Sequence, residues 1–135
     1  MLPLHYPQSW RIASIAILGA VLLAALMPAV WPGGTSSLWF GEIDKWAHGI
    51  TFALLAIWFS GQYPRQAYWR IVLGLFAFGL LIELCQRLVG YRSADWIDVA
   101  ADCAGIAVGM LVASAGLGGW ALHVESLIAG GPARD

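Results

Sequence analysis

The feature that most constrains this chain is an apolar run at residues 12–31, which carries no ionisable side chain. A helix of about 20 apolar residues matches the thickness of the hydrocarbon core of a bilayer. The apolar cores of signal peptides are shorter, about 7–15 residues. The run therefore predicts a retained first membrane span, with cleavage near Ala24 and Ala25 as the alternative.

The composition of the whole chain also fits a membrane environment. Hydrophobic residues make up 60% of the 135 positions and charged residues 11%, whereas a soluble domain carries about 25% charged residues. The length allows one domain, residues 1–135, and the net charge of −1 offers no basic surface for nucleic acid. Cys85 and Cys103 lack metal-ligand spacing, so both are expected to be reduced and buried.

Glycine, proline and polar breakers divide the chain into four segments of span length. The expected spans are residues 11–31, 43–61, 68–90 and 94–116. The sequence thus predicts an all-α fold, an integral membrane bundle of about four transmembrane helices. Gly116, Gly118 and Gly119 are expected to end the fourth span, and residues 120–129 could form an amphipathic segment along the membrane surface.

Tryptophans and basic residues provide two checks on this arrangement. All eight tryptophans fall near an end of an expected span, where a side chain that prefers the headgroup level should lie. Four spans place both termini on one side of the membrane. The basic residues on that side are Arg11, Arg65, Arg70 and Arg134, and those on the other side are Lys45, Arg87 and Arg92. This bias predicts that both termini face the cytoplasm.

Most of the polar and ionisable residues in and beside the last three spans converge on one face of the membrane. Consecutive spans run antiparallel, so the start of the second, the end of the third and the start of the fourth lie together. These three segments carry Asp44, Lys45, His48, Glu83, Gln86, Arg87, Arg92, Asp95, Asp98 and Asp102. Under the predicted orientation they share the outer face.

Helical spacing aligns the acids of the fourth span with small residues. Asp98 and Asp102 are one turn apart and share a helix face, which continues through Gly105 and Gly109 as a GxxxG pattern. Small residues of this kind allow close helix packing in membranes, so the two acids should face the bundle. A charge at the bilayer centre costs about 2.5–3.5 kcal/mol on insertion scales, which makes a polar pocket the default expectation.

The converging residues predict a pocket with two kinds of side chain. Its catalytic or orienting groups are Asp44, His48, Glu83, Gln86, Asp98 and Asp102, and its anion-binding groups are Lys45, Arg87 and Arg92. Basic side chains bind phosphate or carboxylate headgroups, and close carboxylates can share protons for acid–base chemistry. No cofactor or metal site is assigned, because HExxH and similar motifs are absent. The minor alternative is a divalent metal among Asp44, His48, Glu83, Asp98 and Asp102.

Members of the set also have purely structural interpretations. Glu83 and Arg87 are spaced for an ion pair within one helix. Asp44 fits a helix cap, and Lys45 can extend to the interface. The functional interpretation rests on convergence, since packing alone does not require so many ionisable groups in a membrane.

Three segments together resemble the VanZ-like family of bacterial membrane proteins. The first is residues 44–48 (DKWAH), the second is residues 83–86 (ELCQ) and the third is residues 92–98 (RSADWID). They correspond to the family patterns DKxxH, ExxQ and R-x5-D, and the resemblance covers about residues 44–110. It implies a bacterial inner-membrane protein of about four helices with a link to the cell envelope and to resistance against the glycopeptide teicoplanin.

One position departs from the family pattern. The family usually has Asn four residues after the last motif's Asp, and this chain has Asp102 there. An amide both donates and accepts, whereas a carboxylate only accepts unless it is protonated. Asp102 is therefore expected to be protonated or to meet an extra donor such as Arg92.

Three functions remain open at this point. The leading one is an outward-facing pocket that binds an anionic cell-envelope lipid or a cell-wall precursor headgroup. The second is a membrane hydrolase or transferase that acts on a lipid phosphate. The third is a non-catalytic helix-packing module of a larger membrane complex. The expected partners are membrane lipids, among them a lipid-linked envelope precursor, and neither an enzymatic activity nor an oligomeric state is assigned.

Overall fold

The structure is a computed structural model that describes residues 1–27, 38–89 and 96–128, with the backbone alone given for 38–43. In this part of the chain the α-helices are α1 (Pro7–Leu26), α2 (Leu38–Gln62), α3 (Tyr68–Val89), α4 (Trp96–Val112) and α5 (Trp120–Ile128). A 3-10 turn, Arg65–Ala67, leads into α3, and a π-helical turn, Ala113–Leu117, extends α4. The described residues contain no strand, so the all-α prediction is confirmed.

Helix length and composition support the predicted membrane bundle. Among the described residues, the segments long and apolar enough to cross a membrane are Pro7–Leu26, Arg65–Val89 and Trp96–Leu117. The expected second span is part of α2, whose 25 residues make about 37 Å of helix at 1.5 Å per residue. α2 is not among the three segments, and it carries Asp44, Lys45 and His48 in its first half.

The helix bounds differ from the expected spans. α1 begins at Pro7 rather than at residue 11, because proline is favoured in the first turn of a helix. It ends at Leu26 because Met27 is extended, with ψ of 135°, as is usual for a residue that precedes a proline, here Pro28. α2 begins at Leu38, well before the expected start at residue 43.

The fourth span ends at the expected glycines. Gly116 has φ of 147° and Gly119 has φ of 76°, and this region of backbone conformation favours glycine. Gly118 between them is extended, and the N–H of Gly119 donates to the carbonyl of Ser60 over 3.0 Å. The chain then turns into α5, which occupies most of the expected segment 120–129.

Apolar side chains face outward as well as inward. Large exposed side chains include Ile12, Ile15 and Leu23 on α1 and Leu73, Leu81, Leu84 and Leu88 on α3. The core is formed by Phe52, Leu55, Ala56, Ile71, Leu75, Ile82 and Ile106. Exposed leucines are expected where lipid surrounds the helices. Both cysteines are free thiols, but the expectation of burial is wrong, since Cys85 is half-buried and Cys103 is exposed. Cys103 follows the inward-facing Asp102 and so points to the outer side of α4.

α2 packs closely on α4 through small residues. A Cβ atom added at Gly105 would meet the backbone of Gly49 and Ala53. One added at Gly109 would meet Ala53 and Ala56. The two helix backbones therefore approach closely, as the GxxxG pattern predicts, and this crossing brings the polar side chains of α2 next to those of α4.

Candidate functional site

A hydrogen bond between α2 and α4 lies at the centre of the predicted pocket. His48 Nδ1 donates to Asp102 Oδ1 over 2.9 Å, and the two residues are 8% and 1% exposed. With Asp102 ionised, its carboxylate only accepts, so the ring proton lies on Nδ1 and Nε2 is left as the second contact atom. His48 would then be the extra donor expected for Asp102, whereas Arg92 lies outside the described residues.

The second oxygen of Asp102 faces α3. A Cβ atom added at Gly79 would lie 2.6 Å from Asp102 Oδ2 and 3.4 Å from the ring of Phe52. Within the part of the chain that the structure describes, no hydrogen-bond donor reaches this oxygen. Burial of an acceptor without a donor is costly, which makes Asp102 a candidate functional residue.

Two further acids flank the His48 ring. Asp44 precedes His48 by one turn of α2, and Asp98 precedes Asp102 by one turn of α4. Ligand atoms of Asp44, His48 and Asp98 all lie within 4.8 Å of one another. Asp98 is buried, and Asp44 is half-buried. The structure brings these four predicted residues together, and we refer to them as the acidic cluster (Asp44, His48, Asp98 and Asp102).

The two predicted pocket residues of α3 have different surroundings. Glu83 is buried and lines a groove between α3 and α4. Gln86 is also buried, but its Nε2 donates to the carbonyl of Ala25 over 3.1 Å. Carbonyls in the last turn of a helix lack partners within the helix, so Gln86 supports the end of α1 rather than joining the acidic cluster.

The predicted anion-binding residues occupy separate positions. Arg87 is exposed, and its guanidinium lies 5.9 Å from the centroid of the Trp96 ring. Lys45 is half-buried in α2. Arg92, like Asp95, lies outside the described residues. Of the three predicted basic residues, Arg87 is therefore the one that the structure places on the surface between α3 and α4.

Two cavities open beside the polar residues of the described chain. The α1–α2 cavity has a volume of about 190 Å³ and is lined by Val21, Ala24, Ala25, Asp44, Ala47, His48, Thr51, Phe52 and Ile82. The α3–α4 groove has a volume of about 130 Å³ and is lined by Leu80, Glu83, Leu84, Arg87, Trp96 and Val99. Each combines charged groups with an apolar wall, which is the pattern of a ligand site.

A second polar site, at the opposite end of the bundle, was missed by the sequence analysis. Glu125 of α5 is 2% exposed. Its carboxylate accepts hydrogen bonds from the backbone N–H of His5 (2.6 Å), the backbone N–H of Tyr6 (3.0 Å) and Trp10 Nε1 (2.8 Å). These four residues tie α5 to the N-terminal segment, and we refer to them as the N-terminal lock (His5, Tyr6, Trp10 and Glu125).

The lock changes the acidity of its carboxyl group. Burial by itself raises the pKa of Glu125, but the hydrogen bonds from the His5 and Tyr6 backbone and from the Trp10 indole outweigh it. The pKa of Glu125 therefore lies below the ordinary glutamate value of 4.5. Hydrogen bonds to the charged form are the expected cause of such a shift, and they keep Glu125 ionised at neutral pH.

Three tryptophan rings pack against one another at this end of the bundle. The centroids of Trp10, Trp58 and Trp120 lie 5.5 Å from one another. Trp58 Nε1 donates to Ser14 Oγ over 3.0 Å, and Ser14 Oγ donates to Gln62 Oε1 over 3.2 Å. A sequence signal for this site existed, because the four-span topology places all three tryptophans at the same end of the bundle.

The fold and the site define a class: helical membrane proteins with a buried acidic cluster near one end of the bundle. The chain matches the family described as VanZ/LLP1 over residues 4–117. It therefore belongs to this family, and the match extends the resemblance seen in the motifs to include α1. No curated protein and no solved structure matches the chain at a significant level.

Proposed function

We propose that the chain binds the anionic headgroup of a cell-envelope lipid or of a lipid-linked cell-wall precursor. The binding end is the one that carries the acidic cluster, which faces outward from the bacterial inner membrane under the predicted orientation. The α3–α4 groove carries the proposal, because the exposed guanidinium of Arg87 stands there beside an apolar wall.

The groove suits an amphiphile. Leu80 and Leu84 precede Arg87 by about two turns and one turn of α3, and all three line the groove. An acyl chain along the leucines would run towards the membrane interior while its headgroup stays near Arg87. Guanidinium groups bind phosphate oxygens with two parallel hydrogen bonds. Trp96, on the other wall, belongs to a residue type that favours the headgroup level.

Glu83 narrows the class of headgroup. Its carboxylate lines the same groove as Arg87, and a carboxylate repels a phosphate but accepts hydrogen bonds from hydroxyl groups. The preferred headgroup should therefore carry hydroxyl groups next to its phosphate, as a glycerol or sugar phosphate does. Lys45, and Arg92 as the sequence predicts, would add basic character at this end, and Asp44, Asp98 and Asp102 would orient the headgroup or move protons.

The family context suggests where such binding matters. VanZ-like proteins are linked to resistance against teicoplanin, which acts on the cell wall. We propose the same link for this chain, through the lipid that its groove holds. In a glycopeptide-sensitive host, expression of the wild-type chain should raise teicoplanin tolerance, and expression of Arg87→Gln at equal protein level should raise it less.

The direct test measures lipid bound to the purified protein. The chain is equilibrated in mild detergent with equal amounts of phosphatidylglycerol and phosphatidylcholine, and bound lipid is counted by native mass spectrometry. Wild type should retain phosphatidylglycerol preferentially. Arg87→Gln should bind it roughly tenfold more weakly, because a hydrogen bond to a charged group contributes about 1.5–3 kcal/mol and 1.4 kcal/mol is tenfold.

Arg70→Gln is the matched control for this test. Arg70 also lies on α3 and stands over a tryptophan, with its guanidinium 5.2 Å from the Trp69 ring centroid, but at the opposite end of the helix. Its replacement should leave lipid retention unchanged. Equal retention of both lipids by wild type, or equal loss in the Arg70 and Arg87 variants, would refute the proposal.

The His48–Asp102 hydrogen bond favours a second candidate function, a hydrolase or transferase that acts on a lipid phosphate. A histidine oriented by a carboxylate can serve as a general base, which typically contributes about 10²–10⁴-fold in rate. Release of the phosphorylated headgroup should then fall by that factor in His48→Gln and persist in His123→Gln, whose position is exposed. Absence of turnover by wild type, with and without added divalent metal, would exclude this candidate.

A further inference from the structure

We infer that Asp44, His48 and Asp98 form a binding site for one divalent cation of the zinc or manganese type. One ligand atom from each of the three side chains lies within 4.8 Å of the other two. The ligands come from α2 and α4, the two helices that cross at the small residues. The site is distinct from the α3–α4 groove, which is lined by other residues.

The ligand atoms need only a small adjustment to coordinate an ion. Zinc bonds of about 2.0–2.2 Å to imidazole nitrogen and carboxylate oxygen place tetrahedral ligand atoms about 3.4 Å apart. The ligand atoms lie within 4.8 Å of one another, so they would have to approach by up to about 1.4 Å to hold an ion in this geometry. The combination of imidazole with carboxylates suits zinc or manganese, whereas calcium and magnesium prefer oxygen ligands alone.

Asp102 supplies an independent observation. Asp102 is 1% exposed, and its Oδ1 is the atom that contacts His48 Nδ1, whereas its Oδ2 faces Gly79 of α3 and meets no hydrogen-bond donor among the described residues. A carboxylate that accepts from the second nitrogen of a metal-bound histidine fixes the tautomer and strengthens the ligand. With Nδ1 held by Asp102, His48 has Nε2 left for an ion, whose charge would also offset the cost of a buried carboxylate.

The α1–α2 cavity gives an ion a route of entry and room for a ligand of its own. Asp44 and His48 both line this cavity of about 190 Å³. An ion held by them and by Asp98 would keep at least one coordination position towards the cavity. Three protein ligands with one open position are typical of zinc sites that bind water or a phosphate oxygen.

The test uses the full chain, freed of any affinity tag, in mild detergent without added lipid. The protein is stripped with a chelator, equilibrated with Zn²⁺ and dialysed, and zinc per chain is measured by inductively coupled plasma mass spectrometry. Wild type should retain one equivalent. His48→Gln and Asp98→Asn should bind Zn²⁺ at least tenfold more weakly, whereas His123→Gln, a histidine exposed on α5, should match wild type.

Asp102→Asn provides a second variant that keeps all three ligands. Loss of a carboxylate that supports a histidine ligand typically weakens metal binding about 10–100-fold. In a titration with Co²⁺, the visible spectrum of the bound ion should therefore keep its shape, but a higher Co²⁺ concentration should be needed for saturation. Circular dichroism identifies variants that are folded. Failure of folded wild type to retain Zn²⁺, or unchanged affinity in the folded ligand variants, would overturn the inference. Neither outcome bears on lipid binding at Arg87, which is measured separately.

Discussion

At one end of the bundle the carboxylate of Glu125 accepts three hydrogen bonds from the N-terminal segment. At the other end Asp102 accepts one from His48, and its second oxygen meets no donor among the described residues. Both residues are almost fully buried, at 2% and 1% exposure. The indole of Trp10 donates to the first carboxylate, whereas a cavity lined by Asp44 and His48 opens beside the second site.

This difference suggests different roles for the two carboxylates. In the N-terminal lock, a ligand would have to displace hydrogen bonds that already hold the chain together. In the acidic cluster, several ionisable groups lie within helices where each of them is costly, and Asp102 Oδ2 meets no donor in the described part of the chain. Natural proteins break local rules of stability mainly at functional sites, which supports the proposal of ligand binding at the cluster and a structural role for the lock.

The largest loss of stability is expected when the crossing of α2 and α4 is disturbed, because this crossing holds both ends of the bundle in place. In Gly105→Ala the added methyl would meet the backbone of Gly49 and Ala53, so the two helices would have to separate. Such overpacking typically costs about 1–3 kcal/mol. Thermal unfolding in detergent, followed by tryptophan fluorescence and circular dichroism, should show this loss of stability.

Gly74→Ala is the control for the crossing. A Cβ atom at Gly74 would meet nothing within 4 Å, and alanine is favoured over glycine in a helix by up to about 1 kcal/mol. This variant should be as stable as wild type or slightly more stable. Similar destabilisation by the Gly74 and Gly105 substitutions would mean that close backbone approach is not what the crossing requires.

Helix spacing was enough to predict that the side chains of the acidic cluster lie close together, because residues four positions apart share one face of a helix. The four-residue spacing of Asp98 and Asp102, and of Asp44 and His48, fixes which side chains share a face. Antiparallel succession then brings the two faces together. Gln86 shows the limit of this reasoning, because it shares a helix face with Glu83 yet donates to Ala25 of α1, and spacing within α3 carries no information on the neighbouring helix.

The N-terminal lock escaped prediction for a related reason. Two of its donors are backbone N–H groups, of His5 and Tyr6, and every residue except proline carries such a group. No side-chain pattern therefore marks these positions as partners of a carboxylate about 120 positions later in the chain. The tryptophans at this end were visible in the sequence, but Glu125 looked like one polar residue of a short amphipathic segment.

Replacing a single glutamate by glutamine is expected to change stability or ligand binding less, and only at one end of the bundle. Glu125→Gln keeps an acceptor but removes the charge that three donors share, so both the level and the thermal midpoint of the protein should fall. Glu83→Gln should leave the level near that of wild type and change ligand binding instead. Collapse of the level in Glu83→Gln would favour the third function, a packing module, over a binding site.

The pH dependence of stability isolates the contribution of the lock. Because the pKa of Glu125 is lowered by folding, the lock stabilises the protein above the ordinary value of 4.5, and this contribution is lost as the pH falls through the lower pKa of the folded state. The difference in thermal midpoint between wild type and Glu125→Gln should therefore shrink from neutral pH to about pH 3. A difference that stays constant would contradict this account of the lock.

The smallest expected change is in the free energy of unfolding when a single tryptophan is replaced by phenylalanine. This change should be larger for a tryptophan of the lock region than for one on the lipid-facing surface. Trp58→Phe removes the donor to Ser14 Oγ and should lower the free energy of unfolding by about 1 kcal/mol, the usual contribution of one hydrogen bond. Trp69→Phe removes an exposed ring that contacts Arg70, and should cost about 0.5 kcal/mol or less at an exposed site. Chemical denaturation in detergent measures both. Equal losses of unfolding free energy would show that the tryptophans near the lock stabilise the protein through ring burial at the interface rather than through their hydrogen bonds. The contrast between the two ends of the bundle would then rest on Glu125 alone.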